Sequence, residues 1–170
     1  MQNLYCPWRT VYAQSHSDEK KSNIGVRKCV FCHQLAEQQD VDHFILRRFK
    51  HNFAMLNLYP YNAGHILILP NRHKKQLAQL SAAARAELME ITSATSELMH
   101  TQLGALGVNI GLNLGRSAGA GIPSHLHLHV LPRWPGDTNF LPLLANTKVI
   151  SFDLKAVYHD LKPHFMALKI

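Results

Sequence analysis

Between residues 43 and 70 three apolar-rich segments follow one another closely, HFILRRF, FAMLNLY and GHILILP, with the turn material KHN and PYNAG between them. Leucine, β-branched and aromatic residues bounded by turn formers favour strands, and strands joined this tightly predict an antiparallel meander. After Pro70 the period changes. In LSAAARAELMEITSATSELMHTQLGALG, the residues Leu88, Ile91, Leu98 and Met99 recur at helical spacing, Ser81 is placed as an N-cap, and Gly104 and Gly107 act as stop signals. That segment predicts one long helix of about seven turns. GVNIGLNLG and HLHLHVLP return to strand patterning on either side of the Gly-rich GRSAGAGIP, and SFDLKAVYHDLKPHFMAL reads as a C-terminal helix that Pro163 breaks or kinks. Strands, a long helix, then further strands of the same sheet define an α+β class.

The chain has 170 residues, 46% of them apolar and 17% charged, which suits one domain with a core large enough to fold without disulfides. Residues 1–27, ending in the polar run SHSDEKKSNIG, read as an N-terminal arm and flexible linker, with the domain and a C-terminal extension over 28–170. No apolar run reaches the roughly 18 residues of a membrane span. The first residues, MQNLYCPWRTVYAQ, lack the charged start and apolar centre of a signal peptide, so the expected location is cytoplasmic, with no membrane partner. Lys and Arg exceed Asp and Glu by 18 to 11, a net +7 that favours encounter with anionic ligands. The basic residues form no long block and no aromatic-interleaved track. Small nucleotides therefore fit better than a nucleic acid polymer.

Two features carry candidate chemistry. His125, His127 and His129 alternate with Leu126, Leu128 and Val130, so strand geometry sends the three imidazoles to one face and the aliphatic residues to the other. A solvated strand is the bland alternative; the apolar flanks and the closing LPRW weigh against it. Imidazole offers a metal ligand, a general acid or base near neutral pH, and a nucleophile that accepts a nucleotidyl group. The second feature is Cys29 and Cys32, a C-x-x-C pair among three cysteines, the third being Cys6. That spacing suits zinc, and a closed site requires two more ligands, with His33, His43, His51, His73 and the histidine strand as candidates. A buried thiol pair is the alternative. His33, adjacent to Cys32, is badly placed to close a chelate.

HLHLHVL and LNLYPYNAGHILILPNRH together resemble the histidine triad (HIT) superfamily, over roughly Lys28 to Phe140. NLYPYNAGH, the loop GLNLGRSAGAGIPS and GDTNF are most similar to its bacterial diadenosine tetraphosphate phosphorylase type. The nucleoside phosphoramidases usually carry Gly-Gln before the triad, where this chain has Ala120-Gly121. The resemblance implies a HIT-like fold and a structural zinc ion held by Cys29, Cys32, His73 and His125. It makes His127 the nucleophile at an α-phosphate, and it sets His129 and His65 around the bound phosphate. It implies a nucleotidyl transferase or hydrolase that cleaves dinucleoside polyphosphates through a nucleotidyl-histidine, with inorganic phosphate as the favoured acceptor. Ser117, Ser124 and the amides of Gly119 and Gly121 would stabilise phosphate oxygens, Arg116 polyphosphate charge, and Asn113 the α-phosphate region. Asn57 matches a position near the ribose, Val30 and Phe31 the base pocket, and Trp134 a distal nucleotide contact or a subunit interface. Mg²⁺ is expected only as a companion of the polyphosphate, the partners are purine nucleotides, and the assembly is a homodimer. A nucleoside phosphoramidase or general HIT nucleotide hydrolase is the alternative enzyme. A zinc-stabilised nucleotide-binding scaffold is the alternative of another class.

Overall fold

A computed structural model describes residues 29–138, 144 and 153–170. The expected arm over 1–27, Cys6 and the Asn139–Phe140 end of GDTNF lie outside the described residues. Five strands form one sheet: β1 (Ile45–Arg48), β2 (Asn52–Leu56), β3 (Ile66–Pro70), β4 (Gly107–Leu112) and β5 (Leu128–Arg133). Among the described residues three α-helices accompany them: α1 (Val30–Glu37), α2 (Ala82–Leu103) and α3 (Leu154–Ala167). The strand order is β1-β2-β3-β5-β4, and every neighbouring pair is antiparallel. The expected meander is present as β1 to β3. Beyond it, β5 inserts between β3 and β4, so those two strands run parallel and α2 is the crossover that joins them.

Both faces of the sheet are covered, which explains the unbroken apolar runs of β2 and β3; every residue in these strands is buried. On one face Ala54, Leu56, Ile66, Ile68, Leu128 and Val130 pack against Leu88, Ile91 and Met99 of α2 and Leu161 and Phe165 of α3. On the other, Phe53, Met55, Leu67 and Leu69 pack with Cys29 and Phe31 at the start of α1. Each buried large aliphatic or aromatic side chain contributes about 1.5–3 kcal/mol of transfer free energy. The α2 helix has about six turns. Ser81 caps it, the hydroxyl oxygen accepting the Ala84 N–H at 3.2 Å, and Gly104 ends it in the left-handed conformation at φ 61°.

Two sequence expectations are corrected. Pro163 does not break α3, which runs unbroken through it. Val157, Tyr158, Leu161 and Phe165 anchor the helix before and after the proline, while Pro163 and His159, whose carbonyl loses its helical donor, are exposed to water. The second correction concerns the histidine strand, whose ladder starts only at Leu128. Upstream, the Leu126 N–H donates to the Lys74 carbonyl at 2.6 Å and the His125 side chain takes the Pro70 carbonyl at 2.9 Å, so neither residue extends the pairing with β3.

Gly64 is the turn residue on which the site's register rests. Its φ is 70°, and a Cβ there would stand 2.6 Å from Leu103 Cδ1. Gly64→Ala is therefore expected to cost about 1–3 kcal/mol of unfolding free energy, read from the urea transition; an unchanged midpoint would contradict the strain.

Candidate active site

Four side chains from three separate parts of the chain converge beneath α1. Cys29 is the N-cap residue of α1 and Cys32 lies in its first turn, so three residues of helical rise bring both sulfurs to one side. Cys29 Sγ lies 3.4 Å and Cys32 Sγ 3.5 Å from His125 Nδ1, and Cys32 Sγ lies 3.3 Å from His73 Nδ1. All four donor atoms fall within 4.8 Å of one another, a group able to hold a metal ion. The His125 tautomer fits that role. Its Nε2–H donates to the Pro70 carbonyl, which leaves the Nδ1 lone pair facing the sulfurs. Burial holds the His125 ring neutral, its pKa lowered to about 4. Burial also pushes the Cys32 thiol up to about 12, and the Cys29 sulfur adds to the rise. A dication among them reverses that balance by stabilising thiolates. Of the other candidate ligands, His33 and His43 lie against Glu37 instead.

Beyond this group the remaining two triad histidines lie beside His65, whose ring is 5.1 Å from that of His129. The His127 ring is 5.0 Å from that of His129, and Phe31 packs 5.6 Å from both His125 and His127. The three triad rings thus gather on the α1 face, although only His129 sits in the ladder. His127 Nδ1–H donates to the His125 carbonyl at 2.8 Å, so Nε2 carries the lone pair. Burial lowers the pKa of this ring from 6.5, only partly opposed by that hydrogen bond, and so favours its neutral form. His65 Nε2 and His129 Nδ1 are 2.9 Å apart.

The loop between β2 and β3 aims this pair. The Tyr61 N–H donates to His65 Nδ1 at 3.1 Å, and the Tyr61 ring lies 4.7 Å from His65 and is stacked at 5.7 Å on His129. The loop is tied to the end of β5 through Asp137, which accepts from Asn62 Nδ2 at 2.9 Å and from Arg133 through Nε at 2.6 Å and Nη2 at 2.8 Å. Tyr61, Asn62 and Asp137 were not singled out in the sequence, although all three lie inside its quoted motifs; nothing about an isolated Tyr or Asp marks it as support for an imidazole.

The other expected site residues are placed as follows. Asn57 meets His65, with its Nδ2 at 3.2 Å from Nδ1. Phe31 is buried beside the triad, whereas Val30 is 45% exposed. Asn113 follows β4; Arg116 and Ser117 form an exposed 3₁₀ turn; Gly119, Gly121 and Ser124 continue half-buried toward His125. Trp134 is not brought to the histidines. Its ring packs against the core on the opposite face, and its indole N–H donates to the Leu103 carbonyl at 3.3 Å.

Nitrogen-15 NMR is expected to find His127 in the Nδ1–H form, and His65 and His129 in the Nε2–H form. The His127 ring should remain neutral below pH 6.5, its value in an open environment. Because the unfolded ring then binds the proton that the folded ring refuses, this group removes stability as the pH falls below 6.5 and has no such effect above it. A His127 ring titrating at or above 6.5 would contradict the burial argument.

A family model described as the HIT domain matches residues 38–136. The chain is 35% identical over 150 residues to a Mycobacterium tuberculosis protein named AP-4-A phosphorylase, covering 88% of this chain and 77% of that one. It is 30% identical over 93 residues to the Schizosaccharomyces pombe asymmetrical bis(5'-nucleosyl)-tetraphosphatase, across 55% of this chain and 50% of that protein. Among solved structures, a Zn-bound histidine triad family protein from Mycobacterium smegmatis superposes with a TM-score of 0.68 at 23% identity, covering 84% of this chain and 96% of the other. The matched span takes in the whole sheet, the loop that aims His65 and the complete triad, and on these grounds the chain belongs to the HIT domain family.

Proposed function

We propose that this protein cleaves dinucleoside polyphosphates such as diadenosine tetraphosphate, by transfer of the α-phosphorus to His127. The single observation that carries the reading is the His127 Nδ1–H bond to the His125 carbonyl, which leaves the lone pair of a buried ring on Nε2. The lone pair forms a bond to the α-phosphorus as the bridging oxygen departs with its electron pair on ATP. His129 Nε2–H, the main-chain amides of Gly119 and Gly121 and the hydroxyls of Ser117 and Ser124 donate to the phosphate oxygens as their charge shifts. Asn113 lies beside the phosphate, Arg116 offsets polyphosphate charge, and Phe31 and Val30 border the base. Any Mg²⁺ arrives with the substrate.

The resident metal in this reading is zinc. Zinc–sulfur and zinc–nitrogen bonds near 2.3 and 2.05 Å give tetrahedral sulfur–nitrogen edges of about 3.5 Å; the Cys29–His125, Cys32–His73 and Cys32–His125 edges here are 3.3 to 3.5 Å, and all four donor atoms lie within 4.8 Å. When bound, it ties α1, the segment after β3 and the approach to β5 into one rigid base. The exposed edge strand β4, with Ile110 50% exposed, suits the expected homodimer. The domain is taken to span 28–170, with the arm over 1–27 acting outside it. The similarity to AP-4-A phosphorylase supports phosphorolysis, and the similarity to a tetraphosphatase keeps hydrolysis as the second reading.

Purified protein is expected to hold about one zinc per chain, and Cys32→Ser is expected to lose metal and thermal stability together, because binding energy at a closed site is also folding energy. Metal-replete protein without zinc would refute the assignment. His127→Ala should lower turnover by at least about 10³-fold while nucleotide affinity stays within about tenfold. Retained turnover would refute the nucleophile. Chromatography of the products from diadenosine tetraphosphate decides the acceptor: ADP plus ATP in millimolar phosphate is expected, whereas AMP plus ATP with and without phosphate identifies a hydrolase.

A further inference from the structure

We propose that Asn57 and the Tyr61 amide act as positioning groups that make His129 a hydrogen-bond donor but not an acid, and so restrict the site to leaving groups that depart as stable anions. The inference rests on His127 being the nucleophile.

One chain of hydrogen bonds fixes the tautomers. Asn57 Oδ1 accepts the Tyr59 N–H at 3.0 Å, which orients its amide so that Nδ2 faces His65 Nδ1 at 3.2 Å. The Tyr61 N–H reaches the same nitrogen at 3.1 Å. With two N–H donors directed at it, His65 Nδ1 is an acceptor, and the ring's proton sits on Nε2. That proton is donated to His129 Nδ1 at 2.9 Å, so the proton of His129 sits on its own Nε2. A proton added to His129 Nδ1 would force His65 Nε2 to become the acceptor and move the His65 proton to Nδ1, against both amide donors. The imidazolium form of His129 is therefore disfavoured. The neutral form has one proton, and giving it up leaves an imidazolate, because His65 can refill Nδ1 only by becoming anionic itself. Tyr61 reinforces the arrangement by stacking on His129 with 20° between the ring planes.

The consequence concerns the group expelled. When the phosphorus–nitrogen bond to His127 forms, the electron pair of the breaking bond leaves with the departing atom. A polyphosphate or an acidic phenol takes that pair as a stable anion, and His129 Nε2–H supports the neighbouring phosphoryl oxygens. An amine departs as a strongly basic amide anion unless a proton reaches its nitrogen, and this relay supplies none. Where acid catalysis is available it contributes on the order of 10²- to 10⁴-fold.

The test is single-turnover formation of adenylyl-His127 from aryl esters of AMP spanning a range of phenol acidity, from an AMP phosphoramidate and from diadenosine tetraphosphate. The expected result is a rate that falls steeply as the phenol becomes less acidic, with the phosphoramidate slower than the most acidic aryl ester by about 10²-fold or more. In Asn57→Asp the carboxylate accepts a hydrogen bond from His65 Nδ1–H, the relay reverses, and the preference is expected to move toward the phosphoramidate by about tenfold or more. A wild-type rate insensitive to phenol acidity, a phosphoramidate as fast as the acidic esters, or an Asn57→Asp preference identical to wild type would each overturn the inference. So would failure of every compound to adenylylate His127. If the aryl esters react as expected while diadenosine tetraphosphate is not cleaved, the proposed substrate fails and the leaving-group rule stands.

Discussion

A buried imidazole must satisfy two nitrogens, and in this protein the backbone takes one nitrogen of each key ring and so decides what the other can do. The Pro70 carbonyl takes Nε2–H of His125, the His125 carbonyl takes Nδ1–H of His127, and the Tyr61 amide fills Nδ1 of His65. One residue type thereby acquires three behaviours: a lone pair on Nδ1 facing two thiols, a lone pair on Nε2, and a donor passed on to His129. A buried imidazole without such a partner would carry a desolvation cost and an undefined tautomer. The rest of the molecule serves to keep those three backbone groups in place.

The sheet does this by being covered on both faces. α2 and α3 fill one side, so the aliphatic residues of β5 are held from behind, and α1 closes the other side with Phe31 against the triad rings. The carbonyl of Pro70 lies at the end of β3, where ladder pairing with β5 has stopped, and is therefore available to His125. Ending the ladder early is what converts a structural strand into a ligand-bearing segment. At the opposite end of β5, Asp137 joins Arg133 to Asn62, so the loop carrying Tyr61 is referenced to the same strand that carries His129. The Cys29, Cys32, His73 and His125 group and the His65–His129 pair thus share one reference strand.

Residue type and period made most of this legible in the chain. The apolar runs marked the meander, Ser81 and Gly104 bounded α2, and the triad together with the C-x-x-C pair named side chains that the fold gathers. Helix α1 passed unnoticed, because eight residues with a cysteine cap give too short a periodic signal. Trp134, read as a distal nucleotide contact or a subunit-interface residue, packs its ring against the core beneath α2 and α3, a side that strand parity sets and residue type does not reveal. Pro163 read as a helix breaker because a local rule cannot see the anchors on either side of it.

The sequence alone determined the kinds of group present and their order: imidazoles at alternate positions, two thiols three apart, and a glycine before His65 where a positive φ is required. Those are properties of residue types and near-neighbour spacing, which a linear chain carries in full. Only the tertiary structure decided which nitrogen of each ring carries the proton. That choice belongs to carbonyls and amides, which every residue has alike, and to contacts spanning 55 residues between Pro70 and His125 and 64 between His65 and His129. A backbone group has no signature in the sequence, so its role emerges only when folding sets it against a particular side chain.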